Sequence, residues 1–256
     1  MINVGDYVTR RSYNHDIVFL VIDKIDKNCI LQGVDVRLIA DADESDLVLS
    51  DKRESGEEDL YKCIKEIELD RSEYFYLPGK VLHLDGDDSY LKRCMEFYKK
   101  ANVTAYGKAI KESMMYKDVG KYLDSVNPDV LIVTGHDAIL KKRISDKNLY
   151  KNSDNFIKCV KEARKIKRDN LIIIAGACQS NYEELIKAGA TFASSPKRIN
   201  IHALDPAIIA TNICLTEKGK PIDLLSLLEK TKYGKDGIGG LKTKGVMNVG
   251  YPRNEV

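Results

Sequence analysis

Continuous apolar runs and stretches of helical spacing alternate through residues 79–256 of the chain. Lys80–Asp85 reads as a strand, and Ser89–Lys100 as a helix whose apolar side falls on Leu91, Cys94, Met95 and Tyr98, with Ser89 placed to cap it. A weaker strand at Thr104–Gly107 and a short helix at Val119–Val126 follow. Asp129–His136 and Asn170–Gln179 are longer runs rich in Val and Ile, separated by helical spacing over Ser153–Ile166. Apolar runs of this kind are buried central strands of a parallel sheet. Tyr182–Ala188 is a helix closed by Gly189, Thr191–Ser195 a strand, and Pro206–Cys214 and Leu224–Thr231 helices. The glycine-rich stretch from Gly234 to Gly250 reads as a loop or terminal hairpin. Strands alternating with helices predict a parallel-rich α/β sheet covered on both faces.

The pattern differs in residues 1–50. Short alternating runs at Val4–Val8, Asp16–Ile22, Cys29–Gly33 and Val34–Ile39 lie at turn-sized spacing, which predicts a small barrel of SH3-like type. Residues 51–78 carry dense mixed charge and end at Pro78-Gly79, so they read as a charged linker open to proteolysis. The predicted organisation is therefore a β module over 1–50, a linker over 51–78 and an α/β domain over 79–256.

Composition narrows the function classes. The 256 residues include 41 basic and 39 acidic side chains, a formal net charge of +2 that gives no electrostatic case for nucleic-acid binding. No apolar run approaches the roughly 20 residues of a membrane-spanning helix. The N-terminus lacks a basic stretch followed by an apolar one, so no secretory signal is expected. The six cysteines have no CxxC spacing, which argues against a zinc site or a disulfide scaffold and favours a reducing cytoplasm. No cofactor or metal is expected.

The chemistry concentrates where the two Val/Ile-rich strands end. One runs out at Thr134-Gly135-His136 and the other at Ala175-Gly176-Ala177-Cys178. Functional groups of an α/β sheet gather beyond the carboxyl ends of its strands. The 42 residues from His136 to Cys178 suit one strand–helix–strand step, whose right-handed crossover puts the strands side by side or nearly so. A thiol and an imidazole meeting there form a nucleophile and its general base. Gly135 and Gly176 let the backbone approach a substrate, and the Cys178 N–H is placed to serve an oxyanion hole. The competing structural reading makes Cys178 a small buried residue at a strand end. His202 is the rival base.

An apolar block ending in Gly-His, then a second ending in Ala-Cys-Gln, resembles the caspase, clostripain and gingipain group of cysteine peptidases, with Asp137 standing where that group carries Gly. Over nearly the whole chain the sequence is similar to the YabG family of sporulation proteases. The segments that carry the likeness include Gly5-Asp6-Tyr7-Val8-Thr9-Arg10-Arg11-Ser12-Tyr13, Pro78-Gly79-Lys80-Val81-Leu82-His83-Leu84-Asp85-Gly86-Asp87, Thr134-Gly135-His136-Asp137-Ala138, Ala175-Gly176-Ala177-Cys178-Gln179-Ser180 and Arg198-Ile199-Asn200-Ile201-His202-Ala203-Leu204-Asp205-Pro206. The resemblance implies a caspase-like sheet and a cysteine endopeptidase. Its substrates would be spore and coat proteins, cut beside Arg or Lys, with self-cleavage possible. On that resemblance Cys178 is the nucleophile and His136 the base, with Gly135, Asp137 and Gly176 as oxyanion or backbone support.

A basic specificity needs a carboxylate. Asp205 and Asp85 rank first and Asp137 after them, with Asp87 a further candidate; Ser194, Ser195 and Arg198 are expected on the rim of the cleft. Each Asp also suits an ordinary cap or loop role. Two other classes stay open. Asp85 and Asp87 could hold Mg²⁺ in a phosphohydrolase, or the chain could be a spore-assembly scaffold without turnover.

Overall fold

The computed structural model of the chain describes residues 1–51, 72–138, 150–167 and 170–253. The chain divides into two compact units, Met1–Glu58 and Asp59–Val256. Most of the charged stretch expected as a linker lies outside the described residues.

The first unit is a five-stranded antiparallel sheet built from β1 (Tyr7–Arg10), β2 (Val18–Ile25), β3 (Asn28–Gly33), β4 (Ile39–Asp43) and β5 (Leu47–Leu49), in the order β4-β3-β2-β1-β5. Alternate residues of each strand, among them Val8, Phe19, Val21, Cys29, Leu31 and Leu47, bury into one core. These pairings make an antiparallel sheet with β4 and β5 as end strands; they do not themselves close it into the SH3-like barrel expected. The strand expected at Val34–Ile39 is displaced. The chain turns at Gly33, whose N–H donates to the Leu38 carbonyl at 2.7 Å, and β4 starts only at Ile39.

The second unit contains β6 (Phe75–Leu77), β7 (Val81–Asp85), α1 (Asp88–Lys100), β8 (Ala105–Ala109), α2 (Glu112–Val126), β9 (Val130–Thr134) and α3 (Ser153–Ile166). After these come β10 (Ile172–Ala175), α4 (Tyr182–Lys187), β11 (Phe192–Ser194), α5 (Asp205–Cys214), α6 (Leu224–Glu229), α7 (Gly234–Gly237), β12 (Ile238–Gly240) and β13 (Asn248–Gly250). The main sheet runs β12-β11-β10-β9-β7-β8. Its pairs are parallel except β11 with β12. The central strands β7, β9 and β10 are buried along their whole length, which is why they read as apolar runs, with His83, Asp85 and Thr134 as their buried polar residues.

Alternation along those strands feeds two cores. Leu82, Leu84, Leu131, Val133 and Ile173 face α2 and α3, through Met115, Val119, Leu123, Phe156 and Val160. Val81, Val130, Ile132, Ile172 and Ile174 face α1 and α5, through Phe97, Tyr98, Ile208 and Ile209. Each fully buried Leu or Phe in such a layer contributes about 1.5–3 kcal/mol.

Two sequence expectations are corrected here. The Gly234–Gly250 stretch is not a terminal hairpin: β12 pairs with β11, and β13 pairs with β6. Phe75–Leu77, expected in the linker, is therefore a strand of the second unit. Gly240 lies flat on Phe192, where an added Cβ would come within 2.3 Å of the ring, so this edge strand needs a residue without a side chain.

The strand order places a crevice. From β7 the chain goes to β8 on one side and returns to β9 on the other, so the direction of winding reverses between β7 and β9. Sheets of this kind hold their functional groups beyond the carboxyl ends of the strands at such a reversal. Asp85, Gly86 and Asp87 leave β7 there, and Gly135 and His136 leave β9.

Candidate active site

β9 and β10 are neighbours, with Val133 opposite Ala175. Just past the ladder, the Gly176 N–H donates to Val133 O at 3.0 Å and the Thr134 hydroxyl donates to Gly176 O at 2.8 Å. The exits carrying His136 and Cys178 are thus tied together within two residues of either side chain. Gly176 has φ +104, and an added Cβ would come within 2.9 Å of Leu185, so only glycine is comfortable there.

His136 is held from several directions. Its Nε2 lies 2.8 Å from Asp87 Oδ2, and its ring packs on Tyr90 with centroids 5.7 Å apart. Its backbone N–H donates to Glu112 Oε1 at 2.9 Å, and its carbonyl accepts from Asn152 Nδ2 at 2.7 Å. Nδ1 is buried, with no hydrogen-bond partner among the described residues.

Asp87 does two jobs. Its Oδ1 caps α1 by accepting from Ser89 N at 2.8 Å and Tyr90 N at 3.2 Å, so the cap is Asp87 rather than Ser89. Its Oδ2 meets His136. Burial pushes the Asp87 carboxyl upward, but the hydrogen bonds from His136, the Ser89 hydroxyl and the Tyr90 N–H outweigh it and hold the group well below the usual carboxylate range. The Asp87 N–H donates to Asp85 Oδ1 at 3.0 Å.

Cys178 sits in the turn after β10 and is fully buried. Its Sγ accepts from Ile201 N at 3.2 Å. Beside it, Ser180 Oγ accepts from Ala177 N at 2.9 Å and donates to Asp137 Oδ2 at 2.8 Å. Asp137 also accepts from Ser153 Oγ at 2.5 Å, Asn152 N at 2.7 Å and Ala138 N at 2.9 Å. Asp137 is therefore a clamp joining the turn after His136, the start of α3 and the turn after Cys178. Burial pushes its carboxyl above the ordinary value, against the pull of those four donors.

The remaining sequence candidates fall as follows. Asp85 is fully buried, with one oxygen accepting from Asp87 N and the other 3.4 Å from His83 Nε2. Asp205 is also fully buried, its oxygens accepting from His202 N and Lys232 N, each at 3.0 Å. Ser194 is buried, with its hydroxyl unpartnered. Ser195, at φ +66, donates to Ile199 O at 2.6 Å and accepts from Gln179 N at 3.1 Å. Arg198 contacts Tyr150 Oη, Ser195 O and Glu183. The space beside Gly135 is filled by Glu112, which an added Cβ would approach to 2.6 Å. His202 Nδ1 accepts from Leu204 N at 3.1 Å, so a neutral His202 keeps its proton on Nε2 and offers no lone pair elsewhere. Asp85 and Asp87 each bind backbone N–H groups, and among the described residues no group of three or more possible metal ligands gathers.

Glu112, Tyr90, Asn152 and Ser153 were not singled out from the sequence. Glu112 was hidden because α2 was expected to start at Val119. Ser153 was legible only as the start of a helix.

Residues 3–252 match the family model described as YabG peptidase U57. The chain belongs to the YabG peptidase family. Among its YabG relatives, the sporulation-specific protease YabG of Bacillus subtilis (strain 168) is 42% identical over 282 aligned positions, with 97% of each chain covered. YabG membership makes this chain a homologue of a sporulation protease over 97% of its length. Among the described residues, no helix is long and apolar enough to cross a membrane. Of solved structures, the A domain of carboxylic acid reductase from Segniliparus rugosus, in complex with AMP and a co-purified carboxylic acid, aligns over 72% of this chain and 24% of its own. At 8% identity and a TM-score of 0.28 it carries no argument.

Proposed function

We propose that this YabG family member is a cysteine endopeptidase in which Cys178 is the nucleophile and His136 the general base. The supporting observation is that the two residues leave adjacent parallel strands whose exits are clamped together, by Thr134 on Gly176 and by Asp137 on Ser180. In the reaction His136 takes the Cys178 proton and the sulfur attacks the scissile carbonyl. The C–N bond breaks as His136 returns the proton to the leaving amine. Water, deprotonated by His136, then releases the acyl group from the sulfur. The Cys178 N–H would serve the oxyanion, with Gly135 and Gly176 supporting the backbone and Asp137 holding the two turns in place.

Cleavage beside Arg or Lys is part of the proposal, with spore and coat proteins as substrates in the sporulating cell. For the pocket carboxylate, Asp85 and Asp205 are enclosed with backbone donors on their oxygens, so a cationic side chain would have to displace those donors. Glu112, half-buried beside Gly86 and Gly135, is the more accessible acid. Ser194 and Ser195 would line the cleft once the segment at Ile201 lifts from Cys178. Self-cleavage would fall at Lys or Arg in 51–78, most of which lies outside the described residues.

The test is labelling with a peptide acyloxymethylketone carrying Arg at P1, mapped by mass spectrometry beside a P1-Leu control. A single adduct on Cys178, lost in His136→Ala, is expected. Cys178→Ala should remain whole on storage while the wild type shortens. Undiminished proteolysis by folded Cys178→Ala would sink the cysteine mechanism.

A further inference from the structure

The imidazole of His136 has two nitrogens, and only one of them can be the base toward Cys178. Nε2 is 2.8 Å from Asp87 Oδ2, whereas Nδ1 is buried with no hydrogen-bond partner among the described residues. An ionised carboxylate only accepts hydrogen bonds, so the Nε2 facing it must carry the proton. The lone pair of a neutral His136 then lies on Nδ1. The remaining groups packed on His136 do not compete for either nitrogen. Tyr90 of α1 packs its ring against the imidazole at a tilt of 59°, Glu112 of α2 takes the backbone N–H, and Asn152 donates to the carbonyl.

We propose that Asp87 is the positioning residue of the catalytic pair: it fixes the His136 proton on Nε2 and the ring in place, so that Nδ1 is the atom that accepts the Cys178 proton. Asp87 stabilises the imidazolium that forms when the thiol ionises, and it stays a carboxylate throughout. The hydrogen bonds that hold its carboxyl well below the ordinary range are what keep it in that state. Behind it, Asp85 Oδ1 accepts from the Asp87 backbone N–H, and Asp85 Oδ2 lies 3.4 Å from His83 Nε2. His83 Nδ1 in turn lies 3.0 Å from Tyr98 Oη. This enclosed row of Tyr98, His83 and Asp85 fixes the Asp87 backbone, as a second layer of partners commonly fixes a working histidine. The inference rests on the Cys178–His136 reading and adds a third member to it.

The structural and chemical jobs of Asp87 can be separated. Asparagine caps a helix about as well as aspartate. In Asp87→Asn the amide oxygen stays on the Ser89 and Tyr90 N–H groups, which turns the NH₂ toward His136. Nε2 must then accept, and the proton moves to Nδ1, where it blocks the base. In full-length protein, Asp87→Asn should keep its thermal midpoint and lose kcat by about 10²- to 10⁴-fold with KM little changed, as wrong-tautomer variants do. The alkylation rate of Cys178 by iodoacetamide should lose its reactive limb at neutral pH and rise only toward the pKa of an ordinary thiol, about 8.5. Asp87→Glu restores the charge and should recover part of both; if Asp87→Asn does not fold, Asp87→Ser, a helix cap without a carboxylate, carries the same comparison. Folded Asp87→Asn with kcat within threefold of wild type would overturn the proposal. So would a loss of kcat with an unchanged alkylation profile. Cys178→Ala, run beside them, separates the two ideas. If it stays active, the cysteine mechanism itself fails. If it is dead while Asp87→Asn works, only the role given to Asp87 fails.

Discussion

Asp137→Ala removes a side chain that ties the turn after His136 to the turn after Cys178. Four donors lose their acceptor. The Ala138 and Asn152 N–H groups are only partly buried, and water can replace the carboxylate there. The Ser153 and Ser180 hydroxyls are buried, so each strands a donor, at about 1–3 kcal/mol apiece. Relief of an unfavourably buried charge offsets part of this, since burial already strains the Asp137 carboxylate. The expected loss is about 3–5 kcal/mol, the range for breaking a buried charged network by removing one partner. Urea denaturation of the Cys178→Ala protein, which cannot digest itself under the proposed mechanism, reads this directly. The decisive comparison is a double-mutant cycle with Ser180→Ala. Alone, Ser180→Ala should cost about 1–2 kcal/mol. In the Asp137→Ala background it should cost about 1 kcal/mol less, because only the hydrogen bond accepted from the Ala177 N–H is left to lose. Additive losses, to within about 0.5 kcal/mol, would refute the clamp.

Further outcomes follow from other contacts. Because burial raises the Asp137 carboxyl, folding binds protons between about pH 4 and that raised value, and this group's stabilisation falls as pH rises through the window. The stability gap between wild type and Asp137→Asn should therefore be wider at pH 4.5 than at pH 8 by chemical denaturation, while Asp87 stays ionised at both. Gly33→Ala would put a Cβ 2.4 Å from the Val36 carbonyl oxygen, and the first unit should lose about 1–3 kcal/mol in a thermal melt. Leu123→Ala, in the layer between the sheet and α2, should cost about 2–5 kcal/mol of the second unit's stability. Arg198 pins the segment leading to Ile201 through Tyr150 and the Ser195 carbonyl. Arg198→Ala should speed Cys178 alkylation about fivefold, for about 1 kcal/mol of lost hydrogen bonding; an unchanged rate would mean that the pin does not govern access.

The sheet was legible because its central strands are buried on both faces and so appear as apolar runs, Val/Ile-rich at 130–133 and 172–175 and broken only by His83 at 81–84. The helices with strong apolar spacing were legible for the same reason. The start of α2 was not, because Lys111 offers no side-chain cap and nothing in Lys111-Glu112-Ser113 announces a helix. The edge strand β12 was hidden in glycine, whose role there depends on the Phe192 ring on the neighbouring strand. That His136 and Cys178 follow neighbouring strands could be read from the sequence, since each comes just after an apolar run. Asp87 lies 49 residues before His136, and its side chain also makes an ordinary helix cap, so local pattern points to the cap and says nothing of the imidazole.

The contact between Ile201 and Cys178 bears on how such a thiol survives long storage. Oxidation of a cysteine to its sulfenic and higher acids requires both thiolate character and access for the oxidant. Here the sulfur is enclosed and already receives an N–H, so peroxide, like an alkylating agent, reaches it only in the moments when the segment at Ile201 lifts. Under the proposed cysteine mechanism, damage would then accumulate in proportion to time spent open, and an idle molecule would outlast a working one.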